Sequence, residues 1–371
     1  MRIVERTYNS IEWWFKDSKL INYKQNNIKR YFARYVKNGY LYYSFAENIK
    51  DINNNFEKIK FYKDELPPLC PGENIQVVDT PDNLDIPAID IEHELLIRKE
   101  DVYITHKDEE GNEQYQALSV FTLNVDFYKD DKVIPFSNSN IDLKTLIKEL
   151  EEFYNLIKDL NSVKISDAEI PIIIGDTNFY DNLVSGLYGD TIEENMSWVT
   201  GTNKFDIEIK EDPTLFKPYI LYDHDGLCTK RKNIVSNNVI NPLYDVYFAY
   251  KYNKEPTGNG FYLDTGSPNG IGYTYLSIEA KNKINLEELD KAIYGLLFIG
   301  WHTCNWFEGL VDVKLNNGIL YENGTPTGLV FSGSLKLCLS EYIPNAISID
   351  TEINKKGIRY KPFLVLNPSP E

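Results

Sequence analysis

Three side chains have the types and spacing for divalent-metal chemistry. Asp264 closes the run Phe261-Tyr262-Leu263-Asp264, and a Gly-rich turn follows from Gly266 to Gly272. Glu279 and Lys281 then stand two apart in Tyr273–Lys281. On a strand, residues i and i+2 share a face. Two carboxylates there would offer a hard cation the oxygen ligands it prefers. Such an ion lowers the pKa of a bound water and steadies charge in the transition state. The bland alternative is an exposed strand face whose Glu–Lys pair contributes little.

Other constellations are weaker. Asp223-His224-Asp225-Gly226 sets two carboxylates around an imidazole. Adjacent strand residues face opposite ways, and an Asp-Gly pair after Tyr219–Tyr222 reads equally well as a turn. Ile172-Ile173-Ile174-Gly175-Asp176-Thr177 reads as a buried strand delivering an acidic loop, a layout seen in phosphatases. Only His93, His106, His224 and His302 are available as imidazole ligands. His302 and Cys304 lie in Trp301–Phe307, where two Trp and a Phe read as packing or an interface anchor. No G-x-S-x-G, Walker A, G-x-G-x-x-G or H-E-x-x-H string occurs. No cofactor and no metal are assigned on these grounds, and the expectation is a protein that is not an enzyme.

The elements that would carry these residues are mostly strands. Asn38-Gly39 separates two aromatic arms, Lys29–Val36 and Tyr40–Phe45, and is a strong hairpin signal. A helix start is expected at Asn9 or Ser10. Residues 91–136 read as strands around the polar turn Asp108–Asn112, with Leu123, Val125 and Phe127 in strict alternation. Leu143, Leu146, Ile147, Leu150, Tyr154, Ile157 and Leu160 form the stripe of a one-faced helix over 142–161, with Asn140 as its cap. A second helix is expected over 286–299, opened by a capping box of Asn285 and Glu288. Asn316-Asn317-Gly318 and Glu322-Asn323-Gly324 read as tight turns in a β-rich tail. The fold class is α+β, predominantly antiparallel β, with many hairpins and two helices. Four segments follow: a basic aromatic N-terminal segment (1–63), a Pro-rich linker or arm (64–90), a β-rich domain with a closing helix (91–162), and a β-rich C-terminal domain with one helix (163–371).

Composition narrows the function classes. The 371 residues carry 39 Lys plus Arg against 56 Asp plus Glu, a net charge of −17. Residues 1–63 hold 13 basic and 6 acidic side chains, so the remainder is −24. An acidic body opposes polyphosphate binding, so a nucleic-acid partner is not expected. No apolar run of 18 residues suggests a membrane span, and the first residues lack a secretory pattern. Cys70, Cys228, Cys304 and Cys338 are widely spaced and read as free thiols. Trp13, Trp14, Arg30, Tyr31, Arg34 and Tyr35 are the expected contact residues, being the types enriched at interfaces.

Two resemblances follow from these residues. Asp264 with Glu279-Ala280-Lys281 resembles the metal-binding core of the PD-(D/E)xK nucleases, which would make the three residues a Mg²⁺ site. The hairpin-rich β content, the Pro-rich arm, and a composition with 37 Asn, 27 Tyr and 39 Ile resemble structural proteins of tailed-bacteriophage virions. That second resemblance implies a collar, tail or baseplate ring subunit, a homo-oligomer meeting other virion components, assembled in the host cytoplasm. It is the favoured expectation. The nuclease stands as its alternative, and a carbohydrate-binding module as a second.

Overall fold

A computed structural model describes residues 1–165, 170–199, 204–262, 267–306 and 308–366. The first half of the chain builds one large sheet from β1 (Arg2–Lys16), β2 (Lys19–Lys37), β3 (Tyr40–Ala46), β4 (Glu57–Lys60), β5 (Gly72–Gln76), β6 (His93–Lys107), β7 (Glu113–Lys129) and β8 (Lys132–Asn140). Its order is β4-β3-β2-β1-β6-β7-β5, with β8 also on β7. The Asn38-Gly39 turn forms as expected, both residues taking positive φ (53° and 72°) between β2 and β3. The expected helix start at Asn9 or Ser10 does not form. Ile11–Phe15 alternates along β1 instead, with Trp13 and Phe15 turned inward and Trp14 outward. Period two overrides the polar cap signal, because β2 and β6 flank β1 on both sides.

Helix α1 (Leu143–Ile157) closes this sheet. Leu146, Leu150 and Ile157 are fully buried against Leu95, Ile97, Leu123, Val125 and Phe127. Its N-cap is Asp142, whose carboxylate accepts from the backbone N–H of Lys144 at 3.1 Å. Asn140 lies two residues earlier and accepts from Asp142 N at 3.0 Å.

The second half begins with β9 (Ile172–Ile174), α2 (Thr177–Ser185), α3 (Gly189–Glu193), β10 (Ile207–Glu211), β11 (Lys232–Ser236), β12 (Val239–Ile240) and α4 (Val246–Lys251). It continues through β13 (Leu276–Ala280), β14 (Asn282–Ile284), β15 (Lys291–Ile299), β16 (Leu310–Glu322), β17 (Thr325–Val330), β18 (Ser334–Cys338) and α5 (Leu339–Tyr342). The last strands are β19 (Ile347–Ile349), β20 (Ile353–Lys355), β21 (Ile358–Tyr360) and β22 (Phe363–Val365). Among the described residues these make two sheets, ordered β12-β11-β10-β13-β21-β20 and β14-β19-β22-β9-β15-β16-β17, with β18 also on β16. Both share one core with α2, whose Phe179, Tyr180, Leu183 and Val184 are fully buried.

The α+β, mainly antiparallel reading holds, but the second expected helix does not. Only the turn at Leu286–Glu288 forms, with Glu288 accepting from Asn285 N at 2.9 Å as a capping box should. Ala292–Ile299 becomes strand β15 between β9 and β16. A continuous apolar run has no polar stripe to mark a helix face, and Gly295 weakens a helix by about 1 kcal/mol. Asn316–Gly318 is likewise no turn. It runs through β16, where Gly318 faces Gly295 across the ladder.

Leu150→Ala should lower the unfolding free energy by about 2–5 kcal/mol through cavity formation. Exposed Lys148→Ala on the same helix should stay within about 0.5 kcal/mol. Urea titrations of both variants check this.

Candidate functional site

The densest polar cluster is built on the turn Asp223–Gly226. The Asp223 carboxylate folds the turn by accepting from Asp225 N (3.0 Å) and Leu227 N (2.8 Å) through one oxygen, and from Gly260 N (2.9 Å) through the other. Gly226 takes φ +77°, and a Cβ there would lie 2.5 Å from Leu69 Cδ2. The turn then projects Asp225 beneath the first sheet. Arg2 and Arg34 face each other there across the β1–β2 ladder, both buried. Asp225 answers both. Its Oδ1 accepts from Arg34 Nη1 at 2.7 Å, and its backbone carbonyl accepts from Arg2 Nη1 at 2.5 Å. Tyr262 Oη donates to the same Oδ1 at 2.7 Å, and Val246 N to Oδ2 at 3.1 Å. Cys70 and Cys228 form a disulfide beside this turn, with Cα atoms 5.4 Å apart, so these two are not the free thiols expected.

Burial sets the charges of this cluster. Desolvation and then Asp225 push Asp223 well above the carboxylate range. The same causes raise Asp245, the N-cap of α4, to about 7. Burial first, then Arg2 and Arg34, drive His106 well below its ordinary value, so it is neutral. Neither His106 ring nitrogen has a hydrogen-bond partner among the described residues. Nearby, buried Glu211 takes hydrogen bonds from Asn259 Nδ2 (3.0 Å) and Thr274 N (2.7 Å) and pairs with Lys232 at 3.0 Å.

An open groove lies elsewhere, between the edge strands β8 and β20. It holds a cavity of about 400 Å³ floored by Tyr294, Leu296, Ile319 and Tyr321. A second cavity of about 280 Å³ continues it past Lys217, Tyr275 and Lys356. Asn138, Glu149, Asn354 and Lys355 line both and form the waist. Asn138 bridges the two edges: its Nδ2 donates to Glu149 Oε2 (2.7 Å) and to Asn354 O (3.3 Å), and its Oδ1 accepts from Lys356 N (2.8 Å). Burial raises Glu149 and lowers Lys355, so both are poised nearer neutrality than exposed groups would be. An apolar floor with a few convergent polar groups is the ordinary form of a ligand site.

The profile of the PmbA/TldA metallopeptidase C-terminal domain matches residues 176–367, just over half of the chain. The chain belongs to this family. An uncharacterised protein of Methanocaldococcus jannaschii is 32% identical over 146 residues, a match spanning 37% of this chain and 34% of that protein. TldE of Thermococcus kodakarensis superposes with TM-score 0.69 at 16% identity, over 99% of this chain and 96% of that one. A candidate modulator of DNA gyrase from Bacteroides thetaiotaomicron gives 0.71 at 15%, over 99% and 93%. Another from Thermotoga maritima gives 0.68 at 14%, over 98% and 94%. At these identities the three structures share the fold.

Membership of a PmbA/TldD peptidase family overturns the virion reading, with its ring-subunit role, virion partners and virion location. It also overturns the expectation that the protein is not an enzyme, and the nuclease and carbohydrate-binding alternatives. Within the nuclease triad, Asp264 lies outside the described residues. Glu279 sits on β13 and pairs with Lys283 at 2.6 Å. Lys281 falls past the strand end, donating to Phe205 O at 3.2 Å. No helix among the described residues is long and apolar enough to cross a membrane.

The expected contact residues separate. Trp13, Tyr31 and Arg34 are buried inside the chain, and Trp14 is 39% exposed. Arg30 lies over Phe45, and Tyr35 stacks on Tyr42 at 4.9 Å. Asp176 serves as the N-cap of α2, also accepting from Phe298 N (2.9 Å) and Trp301 Nε1 (3.0 Å). Trp301 is thereby packed, as read from sequence.

The family name implies a metal. Among the described residues, no three His, Cys, Asp or Glu side chains converge so as to hold one. Two of the four histidines are engaged otherwise, His224 Nδ1 accepting from Tyr262 N at 2.8 Å and His93 Nε2 from Ser18 N at 3.1 Å, while His302 is exposed and His106 is buried with no carboxylate or thiol cluster around it among the described residues. The described residues do not fit a metal centre, and no step is derived through one.

Asp225→Asn and Arg34→Met should each cost about 3–5 kcal/mol, because each strands a buried charge, and the double variant should cost less than their sum. Chemical denaturation of the four proteins measures it. Asp245 gives a pH signature. Its raised pKa means the folded state holds the proton, so its contribution is full below the ordinary 3.8 and is lost as pH rises through about 7. Asp245→Asn should remove that part of the fall between pH 4 and 7, seen as a converging difference from wild type in thermal melts.

Proposed function

We propose that the chain works in peptide-bond chemistry by holding an extended polypeptide in the groove between β8 and β20. The observation that carries this reading is a groove bounded by two sheet edges in a chain of a peptidase family. Each edge strand is laddered on one side, β8 to β7 and β20 to β21, and a side chain, Asn138, spans the gap between them. An extended peptide can add its backbone to such an edge, and pockets beneath take alternate side chains. Tyr294 and Tyr321 provide the apolar floor for those side chains. Glu149 and Lys355, one acidic and one basic, meet at the waist, where they can orient the backbone amide dipole between them. Cleavage would draw on donors that the described residues do not assemble.

Calorimetric titration with oxidised insulin B chain, an unstructured polypeptide, tests this. Lys355→Ala and Tyr321→Ala should each weaken binding about tenfold, near 1.4 kcal/mol, with thermal stability retained. Unchanged affinity in both well-folded variants would exclude the groove.

A further inference from the structure

A different surface is unfinished in the fold. β1 pairs with β2 from Lys19 to Arg34, but β3 joins the far side of β2 only from Tyr31 onward. Lys19–Arg30 therefore has a sheet edge without a backbone partner among the described residues. Natural edges of that length are blunted by Pro, bulges or charge. This one contains no Pro, Gly, Asp or Glu, and its one irregularity is a bulge at Ile21, where Trp14 faces Asn22 and Phe15 faces Leu20. It exposes Leu20 (56%), Ile21 (63%), Tyr23 (48%) and Ile28 (39%), with Trp14 beside them on β1. The bulge and the cations Lys19, Lys24, Lys29 and Arg30 guard it against neutral strands, and an acidic strand turns that charge into attraction.

We infer that Lys19–Arg30 of β2 is a docking edge for an acidic extended segment of another polypeptide, which adds to the sheet as a further strand. The apolar side of the new strand has a surface ready for it. Tyr23 stands opposite Trp13 with ring centroids 6.1 Å apart, and Leu20 stands opposite Phe15. Trp13 and Phe15 belong to the core under α1, so Leu20 and Tyr23 extend that core past the last strand. The other side is set by charge. Lys19 and Lys24 lie on that side, and Glu12, opposite Lys24, is taken by Arg98 at 2.9 Å; Lys29, on the Tyr23 side, is paired with Glu5 at 2.6 Å. Lys19 and Lys24 have no acidic partner among the described residues, so an incoming strand with alternating apolar and acidic residues satisfies both faces. Backbone pairing supplies affinity and the alternation supplies specificity.

The probe is a fluorescein-labelled twelve-residue peptide alternating Val with Glu, compared with its Val–Lys counterpart by anisotropy. The acidic peptide should bind at least tenfold more tightly. The surface variant Tyr23→Lys/Lys24→Glu should lose at least tenfold while melting normally, and the acidic peptide should slow amide exchange across residues 19–30. Equal binding of the two peptides, or undiminished binding to the variant, overturns the proposal. So does protection of 19–30 that grows with protein concentration without peptide, which would make a second copy the occupant.

Discussion

Two arginines facing each other across a ladder, both buried, are untenable alone. Arg2 and Arg34 occupy that position, and the first sheet cannot close over them unless an acid from elsewhere arrives. Asp225 is that acid, delivered from 191 residues away by a turn that Asp223 folds and Gly226 permits. The contact therefore couples the two halves of the chain. It fixes how the first sheet and α1 sit against the two-sheet core around α2. The neighbouring Cys70–Cys228 bond ties the Pro-rich segment to the same turn.

Once the halves are joined at the turn, their edges are left facing across the groove. β8 ends the first sheet on the side of α1, and β20 ends the second. The waist at Asn138 holds them close without fusing them into one ladder. The proposed site, made from two sheet edges, suits a polypeptide recognised by its backbone. The free half of β2 obeys the same logic at the opposite side of the first sheet, with charge in place of an enclosing wall.

Local patterns were legible in the sequence where one face alone is buried. The Asn38-Gly39 hairpin, the alternation of Leu123, Val125 and Phe127, and the stripe of α1 all follow from period and turn chemistry. The failures occur where both faces are buried or where partners are distant. β15 has apolar residues on each side, so its spacing mimics a helix. Of the two readings that Asp223–Gly226 allows, the turn is the one that forms, yet its importance rests on Arg2 and Arg34, which no local pattern links to it. The excess of Lys and Arg in residues 1–63 was visible, but the fold buries part of it instead of presenting all of it. The groove was illegible because Asn138, Glu149 and Lys355 come from three separate elements.

The central claim is that polypeptide lies between β8 and β20. Hydrogen exchange at saturating oxidised insulin B chain tests it directly. Slowed exchange in both 132–140 and 353–355, with the Asp223–Gly226 turn unchanged, is the expected result. Exchange unaltered in both segments while the peptide is demonstrably bound would contradict the account.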